Sequence, residues 1–168
     1  WSSDVCSSDL TTSTGRLDVT HLLEDAFREV LAMMFGLAVD GPRGEAPDIG
    51  NSLTGTIGLT GPEFQGLLQI RCSSGAARGM AAAMLGGEEM LDEDASLIGD
   101  SLGELANMLG GAVKQRIDQS GVRIEISLPS VVEGELEAKD DERTGCAVLD
   151  FLVDGHPVRT TLIHHQAS

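Results

Sequence analysis

The sequence is short of basic residues and shorter still of aromatic ones. Lysine and arginine total 11 against 27 aspartates and glutamates, a formal net charge of −16 over 168 residues. Proteins hold nucleic acid and anionic membranes by setting cations against phosphates and releasing counterions, so neither is expected as a partner. The acidic surface serves solubility, or it steers a partner with a basic face. Aromatic residues are only 3% of the chain, which leaves the core to Leu, Ile, Val, Ala and Met. No apolar stretch approaches the roughly 20 residues of a membrane-crossing helix. Also missing are a glycine-rich phosphate loop leading into GK[ST], an HExxH and a nucleophile elbow. The four histidines form no ligand set, and His164 and His165, adjacent on a strand candidate, would point to opposite faces. Carboxylates abound, yet no pair stands out as a general acid and base, and no metal site is expected.

Cysteine is scarce as well. Cys72 and Cys146 sit in apolar, strand-like surroundings, belong to no CxxC and lack metal-ligand spacing. They read as two reduced core thiols of a cytoplasmic protein, with a single disulfide as the alternative. The third, Cys6, lies in WSSDVCSSDL, which has neither the basic start nor the apolar run of a signal peptide. These ten residues are identified as the translation of TGG AGT TCA GAC GTG TGC TCT TCC GAT CTN, a common short-read sequencing adapter. Residues 1–10 are therefore expected to be an assembly artefact carrying the only tryptophan, Trp1, and residues 11–168 a single domain. Sequencing the source locus checks this, since codons found there in genomic context refute it.

What is present is 41% hydrophobic residues in a length that suits one domain with a real core. Asp18 to Leu37 predicts an amphipathic helix: Val19, Leu22, Leu23, Ala26, Val30, Met33 and Met34 recur at three- and four-residue steps, with Asp18 as N-cap. The Met pair reads as core packing. The stretch GPRGEAPD from Gly41 to Asp48 reads as a loop. NSLTGTIGLT and EFQGLLQIRC, separated by Gly61-Pro62, predict an antiparallel hairpin. Ser73 or Ser74 then caps a helix of small residues, AARGMAAAML, ended by Gly86-Gly87. Acidic GEEMLDED reads as a solvated lead-in to a long helix over Ser96 to Gln119, ending before Gly121. Strand candidates follow near Arg123 to Leu128, Val131 to Glu137, Cys146 to Val153 and Pro157 to His164, with AKDDERTG as a turn. The layout is mixed α/β of the α+β type, a largely antiparallel sheet packed against long helices.

The long helix contains DSLGELANMLGGAVKQ, whose Asn107, Gly110 and Gly111 are poor helix formers; each glycine costs about 1 kcal/mol relative to alanine. At 100° per residue, Ile98, Leu102, Leu105, Leu109, Ala112 and Val113 cluster on one side as the core face. Asp100, Glu104, Asn107, Gly111, Lys114 and Asp118 fall roughly opposite, with Gly110 at the edge of the same face. Glu104 and Asn107 are three apart and so are neighbours on that outer surface. By periodicity this is either an ordinary solvated face or a flat surface that admits another backbone. The glycines equally fit contact with a neighbouring element of the same protein.

The run ASLIGDSLGELANMLGGAVK, residues 95–114, resembles the signature helix of the CheC/CheX/FliY family of chemotaxis phosphatases. The family pattern is Asp or Ser, three residues, Glu, two residues, Asn, with a proline some twenty residues later. Asp100, Glu104 and Asn107 match in register, and Pro129 in SLPSVVEGE supplies the proline. IGLTGPEFQGLLQI and AAAMLGGEEML also resemble the CheX branch. Some family members carry the Glu/Asn pair on two helices. The first helix here offers Glu24 with Phe27, or Glu29 with Ala32, and no asparagine, so the chain is similar to the single-site, CheX-like branch.

The resemblance implies a CheX-like fold and hydrolysis of the aspartyl phosphate of a CheY-like response regulator, in chemotaxis or motility signalling. Glu104 and Asn107 would be catalytic: Asn107 orients the attacking water and Glu104 pairs with a lysine of the partner. Asp100, Gly110, Gly111 and Lys114 would contact that partner. No cofactor of its own is implied, because the metal ion, Mg²⁺, belongs to the receiver domain. A homodimer formed through the sheets is expected. The competing reading is a non-catalytic, CheX-like dimerisation or docking module that binds a response regulator or motility component.

Overall fold

The computed structural model describes residues 9–12, 15–44, 48–136 and 144–166. Strands β1 (Asp9–Thr12) and β2 (Gly15–Asp18) form a small antiparallel hairpin ahead of helix α1 (Val19–Phe35). Leu10 of β1 is buried in the core. Asp18 caps α1 by accepting from the His21 amide at 3.0 Å. The buried stripe of α1 runs through Leu23, Ala26, Phe27, Val30 and Leu31 and stops there. Met33 and Met34 are therefore exposed, at 75% and 44%, and are not core residues. Met34 continues the angular line of the stripe, but in the last turn it is Phe35 that packs against the core.

Strand β3 (Val39–Arg43) follows, occupying the start of the segment expected to be a loop. Arg28 draws it in, donating to the carbonyls of Val39 and Gly41 from α1. Strands β4 (Ser52–Thr60) and β5 (Phe64–Ser73) form the expected hairpin, in a register that sets Leu53 opposite Cys72 and Leu59 opposite Gly66. Ser73 caps helix α2 (Ser74–Leu85), its hydroxyl accepting from the Ala76 amide at 3.2 Å. Gly86 ends α2 in the left-handed conformation (φ 80°), which a side chain would disfavour. The acidic lead-in forms a short helix, α3 (Glu89–Glu93), that buries Leu91.

Helix α4 (Ser96–Gln119) has the expected bounds. Asp94 starts it by accepting from both the amide and the hydroxyl of Ser96, which holds its carboxyl below the usual range. Beyond α4 come β6 (Glu125–Ile126), β7 (Ser130–Glu133), β8 (Thr144–Val153) and β9 (His156–Gln166). The expected turn AKDDERTG lies largely outside the described residues, as do residues 1–8.

The main sheet has seven strands in the order β3-β8-β9-β5-β4-β6, with β7 also pairing β4, and every ladder is antiparallel. Side-chain alternation divides it cleanly. Ile57, Leu59, Phe64, Leu68, Ile70, Phe151, Val158 and Leu162 face the helices and are buried. Thr54, Gln69, Arg71, Asp150 and Arg159 face the other way. Cys72 lies opposite Val158 and Cys146 opposite Ile163. Those two β9 positions are an odd number of residues apart, so the two thiols are on different faces and cannot bridge to each other. Burial pushes the Cys72 thiol up to about 12.

Candidate active site on the long helix

Helix α4 lies against β4 through an exchange of small residues. A Cβ on Gly55 of β4 would come 3.3 Å from Ala106 Cβ and Leu102 Cγ, and one on Gly110 of α4 would come 3.0 Å from Ile57 Cδ1. Each glycine therefore leaves room for the other element's side chains. This corrects the placement of Gly110: it is buried on the inner side of α4 and touches β4, so it is unavailable to a partner. The buried side of α4 comprises Ser101, Leu102, Gly103, Leu105, Ala106, Leu109, Gly110, Val113 and Ile117. Ile98 and Ala112 are partly buried at its margin. The inner face is thus wider than the apolar stripe, because glycine, alanine and serine pack there without announcing themselves by hydrophobicity.

Opposite this face, Asp100 and Glu104 are exposed and Asn107 is half-buried. Among the described residues, no hydrogen bond or ion pair engages the side chains of these three. Gly111 continues the outer surface, and a Cβ there would meet nothing within 4 Å. Lys114 is differently used. Its Nζ donates to Asp118 Oδ2 at 2.9 Å and to the carbonyl of Ile124, while Asp118 Oδ1 accepts from the Ile124 amide at 3.2 Å. The hydrogen bond from Lys114 holds the Asp118 carboxyl below its ordinary value. Lys114 therefore ties the end of α4 to the chain leaving it, a structural role in addition to the partner contact expected of it.

The returning chain frames the site. Val131 and Pro129 lie 3.6 and 4.0 Å from the position a Cβ of Gly103 would take. Asn107 is one turn beyond Gly103 on the same ridge of α4. Leu128 of the SLPS segment, 89% exposed, was missed by sequence reading; its only signal is an apolar residue ahead of the motif proline. The other glutamates weighed as site residues are occupied: Glu24 pairs with Arg28 at 2.9 Å, and Glu29 binds Arg116 of α4. Among the described residues, helix α4 alone carries an unengaged Glu/Asn pair.

Residues 53–152, which include β5, α2, α4 and most of β4 and β8, match the family described as chemotaxis phosphatase CheX. The chain belongs to the CheX family. A CheY-P phosphatase CheX of Thermotoga maritima is 37% identical over 89 residues, covering 52% of this chain and 55% of that protein. The match thus spans about half the length of the curated relative. Among solved structures, the chemotaxis protein CheX of Vibrio vulnificus superposes with a TM-score of 0.70 at 23% identity, covering 86% of this chain and 97% of that one. The Borrelia burgdorferi CheX of a CheX-CheY-BeF3-Mg complex also gives 0.70, at 18% identity over 86% and 96% of the two chains. These likenesses show that the CheX fold is shared. In this CheX-family chain Asp100, Glu104 and Asn107 lie along the N-terminal half of α4, with Pro129 facing Gly103 of the same half, whereas Gly110 is taken up by the contact with β4.

Proposed function

We propose that this chain is a protein-aspartyl-phosphate phosphatase acting on a CheY-type response regulator in the cytoplasm. The observation that carries the reading is the open face of α4, where Glu104 and Asn107 stand a turn apart with no partner of their own among the described residues. The relative named CheY-P phosphatase and the CheX-CheY complex support the choice of partner. An aspartyl phosphate is an activated acyl phosphate. Its hydrolysis needs a water in line with the acyl oxygen and stabilisation of the charge that develops as the P–O bond breaks. The products are inorganic phosphate and the free aspartate carboxylate.

Asn107 suits the positioning of that water, because a carboxamide donates and accepts without adding negative charge beside the phosphoryl group. Glu104 docks the helix by pairing with a lysine of the receiver domain and fixes its register. Magnesium is the receiver's own. Gly111 keeps the surface between the helix and its partner flat.

The test mixes the protein at low molar ratio with a chemotaxis receiver phosphorylated by acetyl phosphate and follows phosphate release. The expected outcome is catalytic turnover that is lost in Asn107→Ala while receiver binding persists, and weakened binding in Glu104→Lys. Unchanged decay with measurable binding would leave a docking module. Sedimentation of the same preparations checks the accompanying expectation of a homodimer, for which the helix-free face of the sheet, with Val148 47% exposed, is the available surface.

A further inference from the structure

Leu128 is the most exposed large hydrophobic residue among those described, at 89%. A leucine in that state is ordinarily on a loose loop, where its side chain samples many orientations. Here the backbone on both sides is held. The Ser127 amide donates to the Gly58 carbonyl at 2.9 Å, and the Ser127 hydroxyl accepts from the Gly58 amide at 2.9 Å. On the other side Pro129 packs toward Gly103 of α4, and Thr56 donates to the Ser130 carbonyl at 3.4 Å. The residue before a proline is itself confined to extended conformations. Ser127 turns its hydroxyl back onto the Gly58 amide and Pro129 faces Gly103, while Leu128, between them, stands exposed.

Its position along α4 follows from two fixed points. Lys114 holds the Ile124 carbonyl, and Gly103 faces Pro129. Eleven helical residues rise about 16 Å, and five extended residues span about 16 Å, so the two segments run side by side in step. Leu128 therefore lies beside the turn of α4 that carries Glu104 and Asn107. An exposed carboxylate, a half-buried amide and an apolar side chain on a held backbone share one small surface.

We propose that Leu128 is a docking anchor for the receiver domain, inserting into an apolar patch beside its phosphorylation site. This rests on the phosphatase reading and adds to it the kind of surface the partner must offer: apolar ground next to the lysine that meets Glu104. With the backbone already ordered, only the two side-chain torsions of the leucine remain to be fixed on burial, at a cost of about 0.5–1 kcal/mol. The division of labour has a kinetic signature. Anchoring acts equally on ground and transition states and appears in KM, whereas placing the water appears in kcat.

Phosphate release is measured with Leu128→Ala, Leu128→Met and Asn107→Ala, using a chemotaxis receiver phosphorylated by acetyl phosphate, with binding to its beryllofluoride form followed in parallel. Leu128→Ala is expected to raise KM and the dissociation constant about tenfold, to leave kcat within about twofold, and to unfold at the wild-type temperature. Leu128→Met should restore most of the affinity. Wild-type KM and affinity in Leu128→Ala would overturn the anchor while leaving the phosphatase reading standing. A wild-type protein that neither binds nor hydrolyses would overturn both.

Discussion

Adding a methyl group to Gly110 would bring it 3.0 Å from Cδ1 of Ile57, whereas one on Gly111 would meet nothing within 4 Å. Both sit mid-helix, where alanine is favoured over glycine by about 1 kcal/mol. Gly111→Ala is therefore expected to stabilise the protein by up to about 1 kcal/mol. Gly110→Val forces a branched side chain into the α4–β4 contact and should cost about 1–3 kcal/mol. Urea denaturation of the two variants checks the order, and equal effects would contradict it. Sequence alone placed Asn107, Glu104 and Asp100 on the outer face correctly, because charge and periodicity agree there. It could not separate the two glycines. They differ by 100° around the axis, and what distinguishes them is Ile57, a residue more than fifty positions away. Leu128 was illegible for a related reason: an exposed leucine and a buried one look the same until the strand on either side is fixed.

The helix bounds were legible where local chemistry decides them. Asp18 and Ser73 cap α1 and α2, Gly86 ends α2, and α4 spans the residues its periodicity indicates. The strands were less so when they are edges held by distant partners. Strand β3 contains Gly41-Pro42 and owes its place to β8 and to Arg28, neither of which a local reading can weigh. The pairing of β1 with β2 was likewise unread, since those residues straddle the stretch set aside as an adapter. Lys114 belongs to this scale too. It looked like a surface cation on the face of α4, yet its hydrogen bonds reach forward to Asp118 and Ile124. Lys114→Met should loosen the chain after α4 at a cost of about 1–2 kcal/mol, two charge-assisted hydrogen bonds being lost from a partly exposed site. Faster amide exchange across residues 122–128 is the expected pattern. A large loss of affinity with unchanged exchange would leave Lys114 to the partner alone.

Two global terms oppose each other as the pH falls. Protonating carboxylates relieves the self-repulsion of a chain carrying −16, and this favours the folded state on the way to its pI near 4.3. His164 works in the other direction. It is 4% exposed, stacks on Phe64 with ring centroids 5.9 Å apart, and neither ring nitrogen has a hydrogen-bond partner among the described residues. Desolvation, with a smaller contribution from His165, lowers its pKa from the ordinary 6.5. The folded state thus keeps His164 neutral while the unfolded chain binds the proton. Stability from this group is complete above pH 6.5 and is lost below it, until the pH passes the depressed folded value. The slope is at most about 1.4 kcal/mol per pH unit. His164→Leu removes both the slope and a buried polar group without partners, so it should stabilise the protein at neutral pH by about 1–2 kcal/mol. Between pH 7 and 5 the variant, left with the charge-relief term, should gain stability as the wild type gains less or loses it. Denaturant midpoints for the two proteins at half-unit pH steps measure the gap directly. A gap that stays constant across that range would mean that His164 does not titrate differently on folding, and that the whole acid response belongs to the carboxylates.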